Sequence, residues 1–281
     1  MGNSISIITP SKSVDGFKNQ FNEGLKILVS AGLKIAFNQT EKPNYSDLKN
    51  RVGIINRVLK SNSSIIWCAV GGDSCIDILD FINYDEIASD KLLIGSSDNT
   101  HLLLAIYLKT GVKTVFAPNV VNLPSLEKKS IDRCIDYALN VQKFEYPNKM
   151  NIVKPGKTTG ILFGGNLFAF NNIIEKYPAD NLEDINLFFE EIEDEASDIK
   201  QEIKRLKSSP IFNKVNGIVI GNLVSKNSNE DPVKNIKSEF AEFNFPIIKV
   251  DYFGHNVQEF YPLPLGAKTC LDTANRHFAL I

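Results

Sequence analysis

Ser97 stands in the run Gly95-Ser96-Ser97-Asp98-Asn99-Thr100. A Gly-x-Ser between an apolar β-like stretch and a helical pattern resembles a nucleophile elbow. The hydroxyl projects from a sharp turn, and the next N–H can face a developing oxyanion. The second glycine of the hydrolase form is missing, Asn99 taking its place. Ser, Asp, Asn and Thr are also ordinary helix N-caps, so the run reads either way. A serine nucleophile needs a general base, usually histidine, and that base needs an orienting acceptor. Three histidines are available. His255, in Phe253-Gly254-His255-Asn256, follows an apolar run and precedes a proline-rich turn, where a loop end positions a side chain on a rigid frame. His101 falls one turn into the helix after Ser97 and is expected to pack or face solvent. His277, in a terminal β-like run, is expected to be structural. For the acceptor, Ile185-Asn186-Leu187-Phe188-Phe189-Glu190 delivers Glu190 at a strand's carboxyl end, while alternation points Glu191 the other way.

A second turn, Gly71-Gly72-Asp73-Ser74, lacks side chains at two positions. It can cradle an anion, form one wall of an oxyanion hole, or simply make a tight turn. Gly71-Gly72-Asp73 also resembles the Gly-Gly-Asp-Gly turn of NAD and diacylglycerol kinases, but Ser74 replaces the last glycine and no further kinase landmark follows. Between Glu183 and Asp198 lie eight acids and no Lys or Arg. These read as a helix N-terminus stabilised by negative charge, in preference to a cation site.

The elements that must hold these residues alternate. Short β-rich runs at 5–8, 33–37, 65–70, 92–94 and 114–116 are separated by helical faces, such as Phe17-Phe21-Leu25-Leu28 and Leu48-Val52-Ile55-Leu59. A further helix is expected through Ile76, Leu79 and Ile82. The unalternating run Ile65-Ile66-Trp67-Cys68-Ala69-Val70 predicts a strand buried on both faces, as in a parallel sheet. In such sheets, ligands bind beyond the carboxyl ends of the strands. Residues 1–145 are therefore read as an α/β domain carrying the nucleophile. Tyr146-Pro147-Asn148 and Lys154-Pro155-Gly156 mark 146–157 as a linker. Residues 158–281, with strands near 159–163, 185–189, 217–220 and 247–250, are read as a smaller β-rich domain holding the glutamate and histidine.

Composition limits the remaining choices. The 281 residues are 43% hydrophobic and 23% charged, which excludes wholesale disorder. With 31 Lys and Arg against 33 Asp and Glu, the net charge is −2, and no basic excess draws the chain onto nucleic acid or anionic lipid. No apolar stretch has the roughly 18 residues a membrane span needs. Four scattered cysteines read as buried apolar groups in a reducing compartment, so the cytoplasm is the expected location. No metal site or cofactor is expected from three histidines and no C-x-x-C pair.

Taken in order, Thr9-Pro10-Ser11, Gly71-Gly72-Asp73, Gly95-Ser96-Ser97-Asp98, Gly164-Gly165-Asn166-Leu167, Phe188-Phe189-Glu190-Glu191, Gly217-Ile218-Val219-Ile220-Gly221, Gly254-His255 and Leu263-Pro264-Leu265-Gly266 span nearly the whole chain. This series resembles the LD-carboxypeptidases, serine peptidases with a Ser–Glu–His triad and no metal. The resemblance implies a flavodoxin-like, doubly wound parallel-sheet N-terminal domain beside a smaller β-rich C-terminal domain. It implies Ser97 as nucleophile, His255 as general base and Glu190 as the residue orienting it. The oxyanion hole would come from the N–H groups of Asp98 and of the Gly72–Asp73 turn. It also implies a homodimer acting on a small peptide substrate, in the usual role the terminal D-amino acid of a murein peptide. The chain departs from the pattern in three places. Val70-Gly71-Gly72-Asp73-Ser74 stands where many murein-cleaving members have Arg-Gly-Gly-Tyr-Gly, Ser96 where a large side chain is usual, and Ala117 where glycine precedes Pro118. The first of these looks more like the branch that includes the microcin C immunity protein, whose substrate is a peptidyl-nucleotide. A non-catalytic binding protein on the same fold is the remaining alternative.

Overall fold

The computed structural model describes residues 3–41, 47–139, 145–227, 232 and 236–281. They form two units: described residues up to 139 with Phe260–Leu263, and described residues from 145 to Glu259 with Pro264–Ile281.

The first unit alternates as its sequence predicts. β1 (Ser4–Ile8), α1 (Lys18–Ser30), β2 (Lys34–Asn38), α2 (Leu48–Lys60), β3 (Ile65–Cys68), β4 (Leu92–Gly95), α3 (Thr100–Thr110), β5 (Lys113–Phe116) and α4 (Lys128–Leu139) follow one another. In the sheet the order is β2-β1-β3-β4-β5, all parallel, the flavodoxin-like arrangement. Every residue of β3 and β4 is buried, which is why their sequences do not alternate. α1 buries Phe21, Gly24 and Leu28, and α2 buries Val52, Ile55 and Leu59 from its predicted face. The Asp47 carboxylate caps α2, accepting from the N–H of Lys49 at 2.9 Å. α3 ends at Gly111 in the left-handed conformation, φ 69°.

The helix expected through Ile76, Leu79 and Ile82 is instead a 3₁₀ stretch, Ile76–Phe81. The spacing of three between these apolar residues suits three residues per turn better than 3.6. A segment from far along the chain completes the sheet: a short strand, β11 (Leu263–Pro264), lies outside β5. Just before it, Arg133 donates to the Phe260 carbonyl at 2.7 Å and lies 3.4 Å over the Tyr261 ring, while Ser130 Oγ accepts from the Phe260 N–H at 2.8 Å.

The second unit is built on a seven-stranded mixed sheet. Its elements are β6 (Asn151–Lys154), β7 (Lys157–Asn166), α5 (Leu167–Lys176), β8 (Ile185–Glu193), α6 (Ala196–Ser208), β9 (Val215–Ser225), α7 (Ile236–Glu239), β10 (Ile247–Lys249), β12 (Lys268–Asp272) and β13 (His277–Leu280). The order is β13-β12-β7-β8-β9-β10-β6, with β7 to β10 parallel and β6, β12 and β13 antiparallel to their neighbours. Thus Asn151–Lys154, inside the stretch read as a linker, is an edge strand. β8 also runs three residues beyond Glu190, because β9 continues to pair with it as far as Glu193–Ser225, with a register shift between Phe189 and Glu191. Phe163, Phe188 and Phe189 are fully buried in this sheet. Among the described residues no helix is long and apolar enough to cross a membrane.

Candidate active site

The first unit holds Ser97 at the carboxyl end of β4, in a single 3₁₀ turn that leads into α3. Its φ of 58° is left-handed, a conformation that costs a non-glycine residue about 1–2 kcal/mol. This strained strand–turn–helix geometry is what a nucleophile elbow requires, and the ordinary N-cap reading does not account for it. Asn119, fully buried, holds the turn from the side. Its Oδ1 accepts from the Ser96 N–H at 3.1 Å and from Asn99 Nδ2 at 3.0 Å, and its Nδ2 donates to the Ser96 carbonyl at 3.3 Å. Asn99 Nδ2 also donates to the Val70 carbonyl at 3.0 Å, tying the elbow to the glycine turn. A Cβ on Gly71 would lie 3.0 Å from Ser97 Cβ and 3.1 Å from its Oγ, so the absence of a side chain there lets the glycine turn approach the serine.

Beneath the elbow, the Asp98 carboxylate gathers three elements. Oδ2 accepts from the Ser11 hydroxyl and from the Cys75 N–H at 2.9 Å, and Oδ1 lies 2.9 Å from His101 Nδ1. Burial pushes the Asp98 carboxyl up, but the bonds from His101, Ser11 and Cys75 outweigh it and hold the group below the usual carboxylate range. His101 is accordingly neither solvent-facing nor mere packing: it is buried and bonded to Asp98. Arg51 fixes the other end of the glycine turn, donating to Ser74 Oγ at 2.8 Å and to its carbonyl at 3.2 Å.

The second unit brings Glu190 and His255 together. Glu190, fully buried on β8, presents Oε2 to His255 Nδ1 at 2.6 Å and to the His255 N–H at 3.2 Å. Gly254 (φ 109°) makes this approach possible: a Cβ there would sit 2.9 Å from that of Glu190. Asn222 pins the loop, donating from its backbone to the Phe253 carbonyl at 3.0 Å and from Nδ2 to the His255 carbonyl at 2.7 Å. Burial alone would lower the His255 pKa; the charge of Glu190 and its hydrogen bond win, and the imidazole titrates above its ordinary value. The His255 side chain is half-buried.

Sequence reasoning did not find the network around Glu191. This carboxylate is also buried, and it accepts from Asn166 Nδ2 at 2.7 Å, the Phe168 N–H at 2.7 Å and the Ile192 N–H at 2.9 Å. The signal available in the sequence is the run Gly164-Gly165-Asn166-Leu167, whose Asn166 also caps α5 by accepting from the Ala169 N–H at 3.2 Å. The eight acids between 183 and 198 divide by position. Glu195 and Asp198 form a capping box at α6, as a helix N-terminus predicts, whereas Glu190 and Glu191 lie on β8. Among the described residues no group of three or more His, Cys, Asp and Glu is placed to hold a metal ion. Gly72 and Asp73 lie in the turn beside Ser97, and His277 is exposed at the start of β13.

Residues 5–117 match the LD-carboxypeptidase N-terminal domain and residues 159–271 its C-terminal domain. Over all of this chain and 95% of the relative, the sequence is 25% identical to a Vibrio cholerae protein named "Putative carboxypeptidase". It is 26% identical to the Escherichia coli microcin C7 self-immunity protein MccF, over 94% of this chain and 88% of that one. The fold is that of MccF solved in complex with glutamyl sulfamoyl guanosine, with a TM-score of 0.85 at 22% identity, covering 99% of this chain and 96% of the other.

Proposed function

The chain belongs to the LD-carboxypeptidase family, and from that premise we propose that it is a serine-type carboxypeptidase using Ser97, His255 and Glu190. The buried Glu190–His255 pair carries the reading, because a carboxylate at 2.6 Å from Nδ1 fixes the tautomer that leaves Nε2 basic. In the proposed reaction, Nε2 takes the Ser97 proton as Oγ attacks the scissile carbonyl. The N–H groups of Asp98 and of the Gly72–Asp73 turn receive the oxyanion. His255 then protonates the departing amine, and water, activated by the same imidazole, releases the acyl group from Ser97. Only protein groups and water enter these steps.

The proposed substrate is a murein peptide, cut at the amide next to its terminal D-amino acid, by a cytoplasmic homodimer. A second reading, hydrolysis of an aminoacyl- or peptidyl-nucleotide, is favoured by Val70-Gly71-Gly72-Asp73-Ser74 and by the likeness to a microcin immunity protein. Incubating wild type and Ser97→Ala with an L,D-murein tetrapeptide and with an aminoacyl-sulfamoyl adenylate, followed by mass spectrometry, separates the two. Loss of D-alanine by wild type alone supports the first reading, and cleavage of the adenylate alone the second. Equal turnover by Ser97→Ala overturns both.

A further inference from the structure

Two carboxyl groups are buried side by side at the end of β8, and the reaction proposed above uses one of them. Glu190 is fully enclosed and Glu191 is 2% exposed. An alternating strand would send them to opposite faces with unrelated surroundings, but the register shift between Phe189 and Glu191 changes that. The Asn166 side chain lies between them. Its Nδ2 is 2.7 Å from Glu191 Oε1 and 3.5 Å from Glu190 Oε1, while its Oδ1 is committed to the first turn of α5. An amide nitrogen with two hydrogens can serve two carboxylates at once.

We propose that Glu191 is a positioning residue that, through Asn166, holds the Glu190 carboxylate against His255, and that the charge on Glu191 tunes the basicity of that imidazole. The inference rests on the Ser97–His255–Glu190 reading for its meaning in catalysis, but the coupling itself is a property of this unit.

The surroundings of Glu191 define the effect. β8 supplies Glu190 as a like charge. β7 and α5 supply the Asn166 amide and the Phe168 N–H, and β9 pairs Leu223 with it. The imidazole of His255 on the loop after β10 feels the charges of Glu190 and Glu191, which favour its protonated form, and the Lys226 ammonium just past β9, which opposes it. Burial and the neighbouring Glu190 charge push the Glu191 carboxyl up to about 8, against the pull of its three N–H donors. Near neutral pH, Glu191 therefore carries its proton. Two buried carboxylates so close do not ionise together without cost. Above about pH 8 the second charge develops, and it favours the imidazolium.

The test is an NMR titration of the histidine rings and of ¹³C-labelled glutamate carboxyls in the full chain. A His255→Gln variant identifies the His255 signal. In wild type, one glutamate carboxyl should titrate near pH 8, and the His255 resonance should report that event as a second inflection. In Glu191→Gln the carboxyl titration and the inflection near pH 8 should vanish, while the main His255 titration stays in place. The acid limb of kcat/KM should not move, and the loss of the inflection is a change that a purely structural role would not produce. A wild-type spectrum with every glutamate carboxyl titrating in the ordinary range overturns the proposal, even if the variant does not fold. So does a second His255 inflection that persists in folded Glu191→Gln. Inactivity of wild type on every substrate, with these titrations intact, would overturn the catalytic reading and leave the coupling standing.

Discussion

Gly71 lies so close to Ser97 that a methyl group on the glycine would stand 3.0 Å from the serine Cβ and 3.1 Å from its hydroxyl oxygen. Neither side has room to yield freely, since Asn119 and Asn99 pin the serine turn from behind. Gly71→Ala should therefore displace the hydroxyl by a few tenths of an ångström without unfolding the unit. Misplacement of that kind is costly in rate. Steady-state kinetics should show kcat reduced by about 10-fold to 100-fold, with KM changed far less. A kcat within twofold of wild type would mean that the glycine turn does not bear on the reacting atom.

The left-handed backbone of Ser97 makes a prediction about stability that is opposite in sign to the one about activity. Ser97→Gly removes the proposed nucleophile and also relieves a φ of 58° that serine tolerates poorly. Chemical denaturation should find this variant more stable than wild type by about 0.5–1 kcal/mol, after allowance for the greater freedom of glycine in the unfolded chain. Ser97→Ala keeps the strain and should gain nothing. Both variants should lose turnover by on the order of 10⁴ or more.

Replacing Glu190 with Gln keeps the shape of the pair and removes its charge. The imidazole of His255 is held above its ordinary pKa by that charge, so the variant should titrate lower. If His255 is the proposed base, its protonated, inactive form then disappears at lower pH, and the acid limb of kcat/KM moves down. The plateau itself should drop by on the order of 10³–10⁴, as in other triads that lose their orienting acid. Glu191→Gln, which replaces a carboxyl already protonated near neutral pH, should show neither effect. A pH–rate series on the two variants side by side checks both statements.

Asp98 ties acid stability to the elbow. Its carboxyl is depressed in the folded protein by His101, Ser11 and the Cys75 N–H despite burial, so it binds its proton less readily folded than unfolded. The stabilisation it contributes is full above the unfolded pKa, near about 4, and is lost as pH falls through the lower folded value. Asp98→Asn should abolish this component. Stability curves for wild type and variant, measured by denaturant from neutral pH down to about 3, should converge toward the acid end. Parallel curves would show that the carboxylate has no preferential partners in the folded state.

Much of this was legible in the linear sequence, and the reasons are specific. Ile65-Ile66-Trp67-Cys68 announced a buried parallel strand because burial on both faces removes alternation. Glu190 could be singled out because strand period and a short list of histidines narrowed the choice. The pairing seen with His255 depends on Gly254 and Asn222, which lie 64 and 32 residues away from Glu190 along the chain. Long-range partners of that kind leave no periodic trace. The same holds for the Asn119 clamp on Ser96 and for the His101–Asp98 bond, both of which join a turn to side chains whose directions only the folded backbone sets. The burial of Glu191 beside Glu190 was hidden by a one-residue slip in strand pairing, which a strict alternation rule does not contain. The helices α5 and α6 were overshadowed by the strands on either side of them.

The return of Phe260–Leu263 to the first unit bears on how the protein is made. A ribosome delivers the first five parallel strands early, yet the strand that lies outside β5, along with the Phe260 carbonyl and Tyr261 ring that receive Arg133, is synthesised almost last. The nascent first unit must wait, with its outer edge unpaired, while nearly all of the second is translated. Exposed strand edges are where growing chains aggregate. The half that carries Ser97 is thus not an excisable module: a gene cut anywhere between the two units ships it without its final strand.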